Sequence, residues 1–524
     1  MSNNPLPGDP GQPDQEPAAF PPPDEPGATP LDDALTEADL DDESVIEEST
    51  DRADRSAERS TETAGTDAAA IATVIVVNYN GAHLLGPCLD GLARQDLPAG
   101  TFRTVVVDNA SADPSRDLLR EDYPDVELLV SHHNLGFAGG NNLALERVTT
   151  PYAVLLNNDA VPEPSWLRTL LAPLQQDTSG SLAATSSKIV FMPEFVEVKL
   201  STEPFKPGGL DPRALGAKVY QISVDGNPVT NKVMWEKAGF GPEGTAHDQY
   251  RWSFPEGSFL VPLPPAEPGA EQTPHTITVT IAANQTKEVL FRAAASSARI
   301  TPPTEVGAIG TVSIPVPVTT PRVDVINNVG GIVFVDGAGA DRGFQEVDTG
   351  QYEEPEEVFT ACGNGVAIRT AAGRAAGWFD DRYFMYYEDV DLCWRLRAAG
   401  GRIQYVPGAV LRHLHSASSK PWSPGWVFHV ERNRLLTLTK DASAGRAANG
   451  VLRFIGSTGK MTLRAVAQGA RTRRKPPLGP VMLRGKVLRS YLRHLPGLLA
   501  DRRRIGNTAT VGRRDLEEWL VTSR

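Results

Sequence analysis

The most constraining feature of this chain is an alternation of two patterns. A β-branched run, IATVIVVNYN, opens it near residue 71 and ends in polar turn residues, the mark of a buried strand. Leu85, Cys88, Leu89 and Leu92 follow at i, i+3, i+4 and i+7, which predicts a helix with one apolar face. The two patterns then repeat. FRTVVVDNAS predicts a second strand, DPSRDLLRE a short helix and VELLV a third strand. NLGFAGGNN predicts a glycine-rich turn into the helix NNLALER. PYAVLLNND predicts a fourth strand, and PEPSWLRTLLAPL a helix with proline near its first turn. Alternation at this spacing predicts an α/β fold: a mostly parallel, doubly wound, Rossmann-like sheet with flanking helices.

The pattern breaks near residue 192. From about 195 to 321, segments such as AKVYQISVDG, GSFLVPLP, HTITVTIAA and KEVLFRAA alternate apolar and polar residues at period two. That predicts an antiparallel, sandwich-like β domain inserted into the α/β domain. The α/β character returns at INNVGGIVF and runs to about residue 440. The expected organisation is a tail at 1–68, a first α/β part at 69–194, the inserted β domain at 195–321, a second α/β part at 322–440 and a basic helical region at 441–524.

The net charge of −14 over 524 residues is an uneven average. Residues 1–68 hold 19 acidic and 3 basic side chains and many prolines, so they bury too little apolar surface to fold and are expected to be disordered. The far C-terminus is basic, with RTRRK, RGKVLR and DRRR. Three cysteines, Cys88, Cys362 and Cys393, are far apart and unlike a metal-ligand spacing, which suits a reducing compartment. No apolar run reaches the length of a membrane span, and the start lacks the features of a secretory signal, so a cytoplasmic protein is expected.

In an open parallel sheet, ligands bind beyond the carboxyl ends of the strands. The first predicted strand ends in Asn78, Tyr79 and Asn80, the second in Asp108, Asn109 and Ser111, and the fourth in Asn157, Asn158 and Asp159. Any one of these sets reads as a turn or helix cap; three at one sheet edge read as a site. The stretch 134–142 lacks GxGxxG spacing and a Walker lysine, which argues against a dehydrogenase or a P-loop enzyme.

VVNYNG, VVDNASAD, NLGFAGGNN, LLNNDA and YYEDVDLCWRLRAAG, in this order, resemble the family 2 glycosyltransferases of the GT-A fold. The nearest likeness is to rhamnosyltransferase-like and galactofuranosyltransferase-like members of bacterial cell-surface polysaccharide pathways. It covers about 70–192 and 323–440. The resemblance implies inverting transfer of a sugar from a nucleotide diphosphate sugar to a hydroxyl of a glycan or lipid-linked acceptor. It implies Mg²⁺ or Mn²⁺ at the leaving diphosphate, held by hard ligands. The family's DxD position reads Asn157, Asn158, Asp159 here, so Asp159 is the expected metal ligand. HLHSASS offers His413 or His415 as a second, and the resemblance favours His413. Expected donor contacts are Asn78, Asn80, Asp108, Asn109, Asn134, Gly136, Asn157, Asn158, Gly363 and Asn364.

An attacking hydroxyl must lose a proton, which a carboxylate base accepts. Asp389 and Asp391 lie roughly 200° apart around a helix and cannot both face one site. Asp391 sits four residues before Arg395, the spacing of a helical ion pair, and Glu388 is placed just outside the helix. The resemblance makes Asp389 the base; the alternative for it is a helix cap. Tyr386, Tyr387 and Trp394 are the right type to stack on sugars, although such aromatics are more often core. The basic C-terminus, Lys and Arg interleaved with Leu, Val and Tyr, suits peripheral contact with the inner membrane surface rather than nucleic acid. Two rivals remain: a non-catalytic carbohydrate-binding scaffold on a degenerate transferase fold, favoured by NND, and a sugar nucleotidyltransferase, disfavoured because NYNGAHLL carries no basic residue.

Overall fold

The computed structural model describes residues 58–59, 70–206, 214–243, 250–264, 273–282, 288–305, 307–414 and 423–522. The alternating segments form β1 (Ala72–Asn78), α1 (Ala82–Ala93), β2 (Phe102–Asn109), α2 (Ser115–Asp122) and β3 (Glu127–Ser131). They continue as α3 (Gly136–Leu145), β4 (Tyr152–Asn157), α4 (Trp166–Gln176) and β5 (Leu182–Phe191). After the insertion come β6 (Val366–Arg369), α5 (Glu388–Ala398) and β7 (Arg402–His413). Helices α6 (Pro424–Asp441), α7 (Ala444–Thr472) and α8 (Gly479–Thr508) follow.

The central sheet runs β3-β2-β1-β4-β6-β5-β7. β1, β2, β3 and β4 are parallel, with Ile75 opposite both Val105 and Leu155. β6 lies antiparallel between β4 and β5, and β7 is parallel to β5. The strands are apolar on both sides because both faces are covered. Leu143, Leu145, Leu392 and Leu396 from α3 and α5 fill one face. Leu85, Cys88, Leu89 and Leu92 from α1, with Trp166, Leu167 and Leu170 from α4, fill the other. This layering leaves the carboxyl ends of β1, β2 and β4 together at one edge.

Between β5 and β6 the chain builds two antiparallel sheets, one around Phe195–Thr202 and one around Lys218–Val224. Val196, Val198 and Leu200 of the first meet Val219, Ile222 and Ile277 of the second in one core. The chain rejoins the central sheet where Ile326–Asn328 pairs with β5.

Three expectations change in detail. α3 begins at Gly136, inside the glycine-rich stretch. A Cβ on Gly140 would lie 2.8 Å from Val77 Cγ1, so that glycine serves close helix–strand packing. Glu388 is the first residue of α5 and buried, not outside the helix. Most of the acidic tail lies outside the described residues, but Glu58–Arg59 pairs antiparallel with Val130 and Leu129 at the sheet edge.

Candidate active site

The floor of the site is built from strand ends. Asn78 is fully buried: its Nδ2 donates to Ser115 Oγ (2.9 Å) and Ser111 Oγ (3.3 Å), and its Oδ1 accepts from Asn158 Nδ2 (2.8 Å). Asn109 is equally spent, donating to Asn134 Oδ1 and the Gly136 carbonyl (both 3.0 Å) and accepting from the Leu135 amide (2.9 Å). Asn78 and Asn109 thus spend their side-chain polar atoms on neighbouring loops, and Asn158 spends its Nδ2 on Asn78. Asn80 is exposed and accepts from the Ala112 amide (2.8 Å), while Asn134 Oδ1 also accepts from the Gly136 amide (2.9 Å).

Asp108 differs. Its Oδ1 accepts from Arg116 Nε (2.6 Å) and the Ser111 amide (3.2 Å), but its buried Oδ2 has no hydrogen-bond partner among the described residues. A buried carboxylate oxygen left so is costly and marks where a ligand's donor group fits.

At the end of β4, the Asn157 amide donates to Asn364 Oδ1 (3.2 Å), and the buried Asn364 Nδ2 likewise lacks a partner. Asp159 follows, buried, with its Oδ1 3.2 Å from His413 Nε2 at the end of β7. His413 Nδ1 lies 2.9 Å from Asn327 Oδ1. With Nδ1 facing Asn327, the ring nitrogen turned toward the Asp159 carboxylate is Nε2. A nitrogen and a carboxylate oxygen converging in this way fit a divalent ion. Among the described residues no three His, Cys, Asp or Glu side chains gather as a complete metal cage. His415 lies outside the described residues.

Next to Asn327, Asn328 Nδ2 donates to Asp341 Oδ1 (2.5 Å). Asp341 has an exposed face, yet the protein crowding its carboxyl, then the charge of Asp389, push it up to about 6, against the pull of Asn328 and His413.

Asp389 is half-buried in the first turn of α5. Its Oδ2 accepts from the Gly363 amide (3.1 Å) and its Oδ1 from the Val390 amide (2.7 Å). Burial raises its carboxyl above the usual range, and these two donors oppose the rise. A Cβ on Gly363 would lie 3.0 Å from the Phe137 ring, so the turn at Gly363–Asn364 is tightly enclosed. The approach to α5 is strained: Phe384, Tyr386 and Tyr387 hold φ of 62°, 68° and 71°. Such geometry in bulky residues persists only where surroundings enforce it. Here Asn433 of α6 does so, its Nδ2 donating to the carbonyls of Tyr383 (2.9 Å), Met385 (2.9 Å) and Tyr386 (2.7 Å). Arg432 Nη2 adds bonds to the Arg382 (2.9 Å) and Tyr383 (3.0 Å) carbonyls.

Asp391 points the other way, into a buried ionic network. It receives Arg395 Nη2 (2.6 Å) and Lys440 Nζ (2.7 Å), and Lys440 also reaches Asp380 (2.7 Å). Burial alone would raise the Asp391 carboxyl, but Arg395 and Lys440 outweigh it and hold it below its usual value. Trp394 is core, 5.2 Å from the Phe359 ring, and the Tyr387 hydroxyl is bound by the Gly339 amide (3.0 Å) and the Gly337 carbonyl (3.2 Å). Asp341, Asn327, Asn328, Arg432 and Asn433 went unnoticed in the sequence. Two signals were there: INN ends a strand as NND does, and ERN interrupts the apolar pattern of FHVERNRLL.

The sequence profile described as "Glycosyl transferase family 2" matches residues 73–220. The chain is 47% identical over 74 residues to an N-acetylglucosaminyl-diphospho-decaprenol L-rhamnosyltransferase of Mycobacterium tuberculosis, 13% of this chain and 24% of that protein. It is 41% identical over 71 residues to the Escherichia coli rhamnosyltransferase WbbL, 13% and 27% of the two chains. It is 28% identical over 98 residues to the glycosyltransferase AglE of Haloferax volcanii, 18% and 32%. The chain thus spans about a third or less of the length of these curated relatives.

Proposed function

We propose that this chain, which carries a family 2 glycosyl transferase domain, is an inverting glycosyltransferase of bacterial cell-envelope polysaccharide synthesis. It moves a sugar from a nucleotide diphosphate sugar to a hydroxyl of a glycan or lipid-linked acceptor. The observation that carries this reading is the Gly363–Asn364 turn: its Gly363 amide holds Asp389, and its Asn364 side chain holds the end of β4 two residues before Asp159, which faces His413.

In this reading the Asp108 carboxylate, with its free Oδ2, receives a donor group of the nucleoside. Asp159 and His413 would hold Mg²⁺ or Mn²⁺, which would supply charge stabilisation to the departing diphosphate. Asp389 accepts the proton of the acceptor hydroxyl as that oxygen attacks the anomeric carbon from the face opposite the diphosphate. Burial raises its carboxyl, which makes it a better base than a solvated aspartate. The free thiols of Cys88, Cys362 and Cys393 fit a cytoplasmic setting.

A non-catalytic carbohydrate-binding role has one observation behind it: Asn157, at the first acidic position of the family's DxD, carries no carboxylate. A thermal-shift series with sugar nucleotides plus Mg²⁺ or Mn²⁺ tests the donor reading. Ligand at about 100 times Kd adds about 2.7 kcal/mol to the stability of the folded state. The metal-dependent part of that gain should vanish in Asp159→Ala. No shift with any sugar nucleotide, with or without metal, would refute the donor assignment.

A further inference from the structure

The C-terminal helices carry a surface that the transfer chemistry does not use. Between Asp441 and Asp501 the sequence has twelve Lys or Arg residues and no Asp or Glu, in a chain whose net charge is −14. α7 and α8 bury Phe454, Leu483, Val487, Tyr491 and Leu498 against α6 and Tyr383, in the loop that leads to Asp389. Their outer faces are left with an unusual set of exposed side chains. On α7, Leu452 is 68% exposed, Ile455 47%, Leu463 73% and Val466 50%. At roughly 100° per residue these four fall along one line, and Arg453, Lys460, Arg464 and Arg471 follow a parallel line about a third of a turn away. α8 adds exposed Met482, Leu492 and Leu499 beside Arg489 and Arg493.

We propose that this face of α7 and α8 docks on an anionic lipid surface. An apolar line flanked by cations on a surface helix is the pattern that lies in a bilayer interface, apolar side chains inserted and cations at the headgroups. No helix among the described residues is long and apolar enough to cross a membrane, so the contact is peripheral. A second copy of the same face is a poor occupant, because it would set cation against cation with no acid to pair. Nucleic acid would use the charge but not the exposed leucines. The proposal differs from the sequence expectation in place: the apolar line is on α7, upstream of the RTRRK segment. It does not depend on the transfer reaction.

The test is flotation of the full chain with vesicles of phosphatidylcholine, with and without phosphatidylglycerol. Binding is expected only to the anionic vesicles and to weaken with salt. Each basic residue facing the bilayer contributes about a fivefold factor, so Arg453→Glu/Lys460→Glu/Arg471→Glu should weaken binding about a hundredfold or more. Leu452→Asn/Leu463→Asn should also release the protein. All five side chains are exposed, so the thermal midpoint and sugar-nucleotide binding should stay as in the parent, which separates this outcome from failure of the transferase reading. No flotation, flotation unaffected by both variants, tighter binding to RNA than to anionic vesicles, or a dimer dissolved by Leu452→Asn/Leu463→Asn would overturn it.

Discussion

Asp391→Asn removes one negative charge from an enclosed ionic cluster against α5. Asp391 has no exposed surface, and its two oxygens are divided between Arg395 (Nε 2.9 Å, Nη2 2.6 Å) and Lys440 (Nζ 2.7 Å), with the Tyr383 hydroxyl at 3.3 Å. Arg395 and Lys440 are themselves 4% and 2% exposed, so neither cation has water to fall back on. Removing one partner of a buried pair costs about 3–5 kcal/mol because the remaining charge stays desolvated. At a urea slope of about 3 kcal/mol/M, the midpoint should fall by about 1–1.7 M. The pH dependence follows from the direction of the shift. A carboxyl held below its unfolded value of about 3.9 stabilises the fold above that pH and loses the contribution as pH falls through its folded value. The gap between parent and variant should therefore be full at pH 7 and close in acid. A midpoint change below about 0.3 M at pH 7, or a gap that widens in acid, would refute the assignment of Asp391 as a structural ion.

Other substitutions probe the same frame. Asn433→Ala removes the side-chain donor to the Met385 and Tyr386 carbonyls and one of the donors to Tyr383 at the strained approach to α5; it should cost about 2–4 kcal/mol in urea unfolding and lower the transfer rate of the folded fraction. Gly136→Ala places a Cβ 2.4 Å from the Phe384 carbonyl at a φ of 67°, so it should destabilise by more than about 2 kcal/mol; a neutral result would contradict the close approach of α3 to that loop. Glu388→Gln should raise the thermal midpoint, because burial and then Asp389 push the Glu388 carboxyl well above its usual value and its Oε2 has no hydrogen-bond partner among the described residues. The unfolded state ionises from about pH 4.3 upward while the folded one resists, so the gain should be near zero at pH 4 and largest at pH 8.

The part of the fold written locally in the sequence was the part easiest to read. IATVIVVN and FRTVVVDN announce strands because a parallel sheet covered on both faces needs uninterrupted apolar runs, and their order along the chain becomes β3-β2-β1-β4. β6 was not legible as an antiparallel strand between β4 and β5, because its partners are about 180 and 210 residues away in the chain. In the site, the helical spacing of Asp389 and Asp391 separated their directions, and the structure sends Asp391 to Arg395 as that spacing requires. What the sequence hid was which asparagines face inward. Asn78 and Asn80 would share one face of a continuous strand, yet β1 ends at Asn78 and Asn80 turns away at a φ of 51°, so one is sealed under the floor and the other is exposed. Asn433 was hidden for another reason: its partners are backbone carbonyls, which leave no trace in residue identity.

The most direct test of the account is the transfer rate of Asp389→Asn with a donor identified by thermal shift. The amide keeps the size of the side chain and can still accept from Gly363, at the loss of the bond from the Val390 amide, so the fold should persist with slightly lower stability and donor affinity should match the parent. Loss of the base should lower the rate about 10²–10⁴-fold at neutral pH. A variant that transfers sugar within about tenfold of the parent while binding donor normally would contradict the assignment of Asp389 as the base.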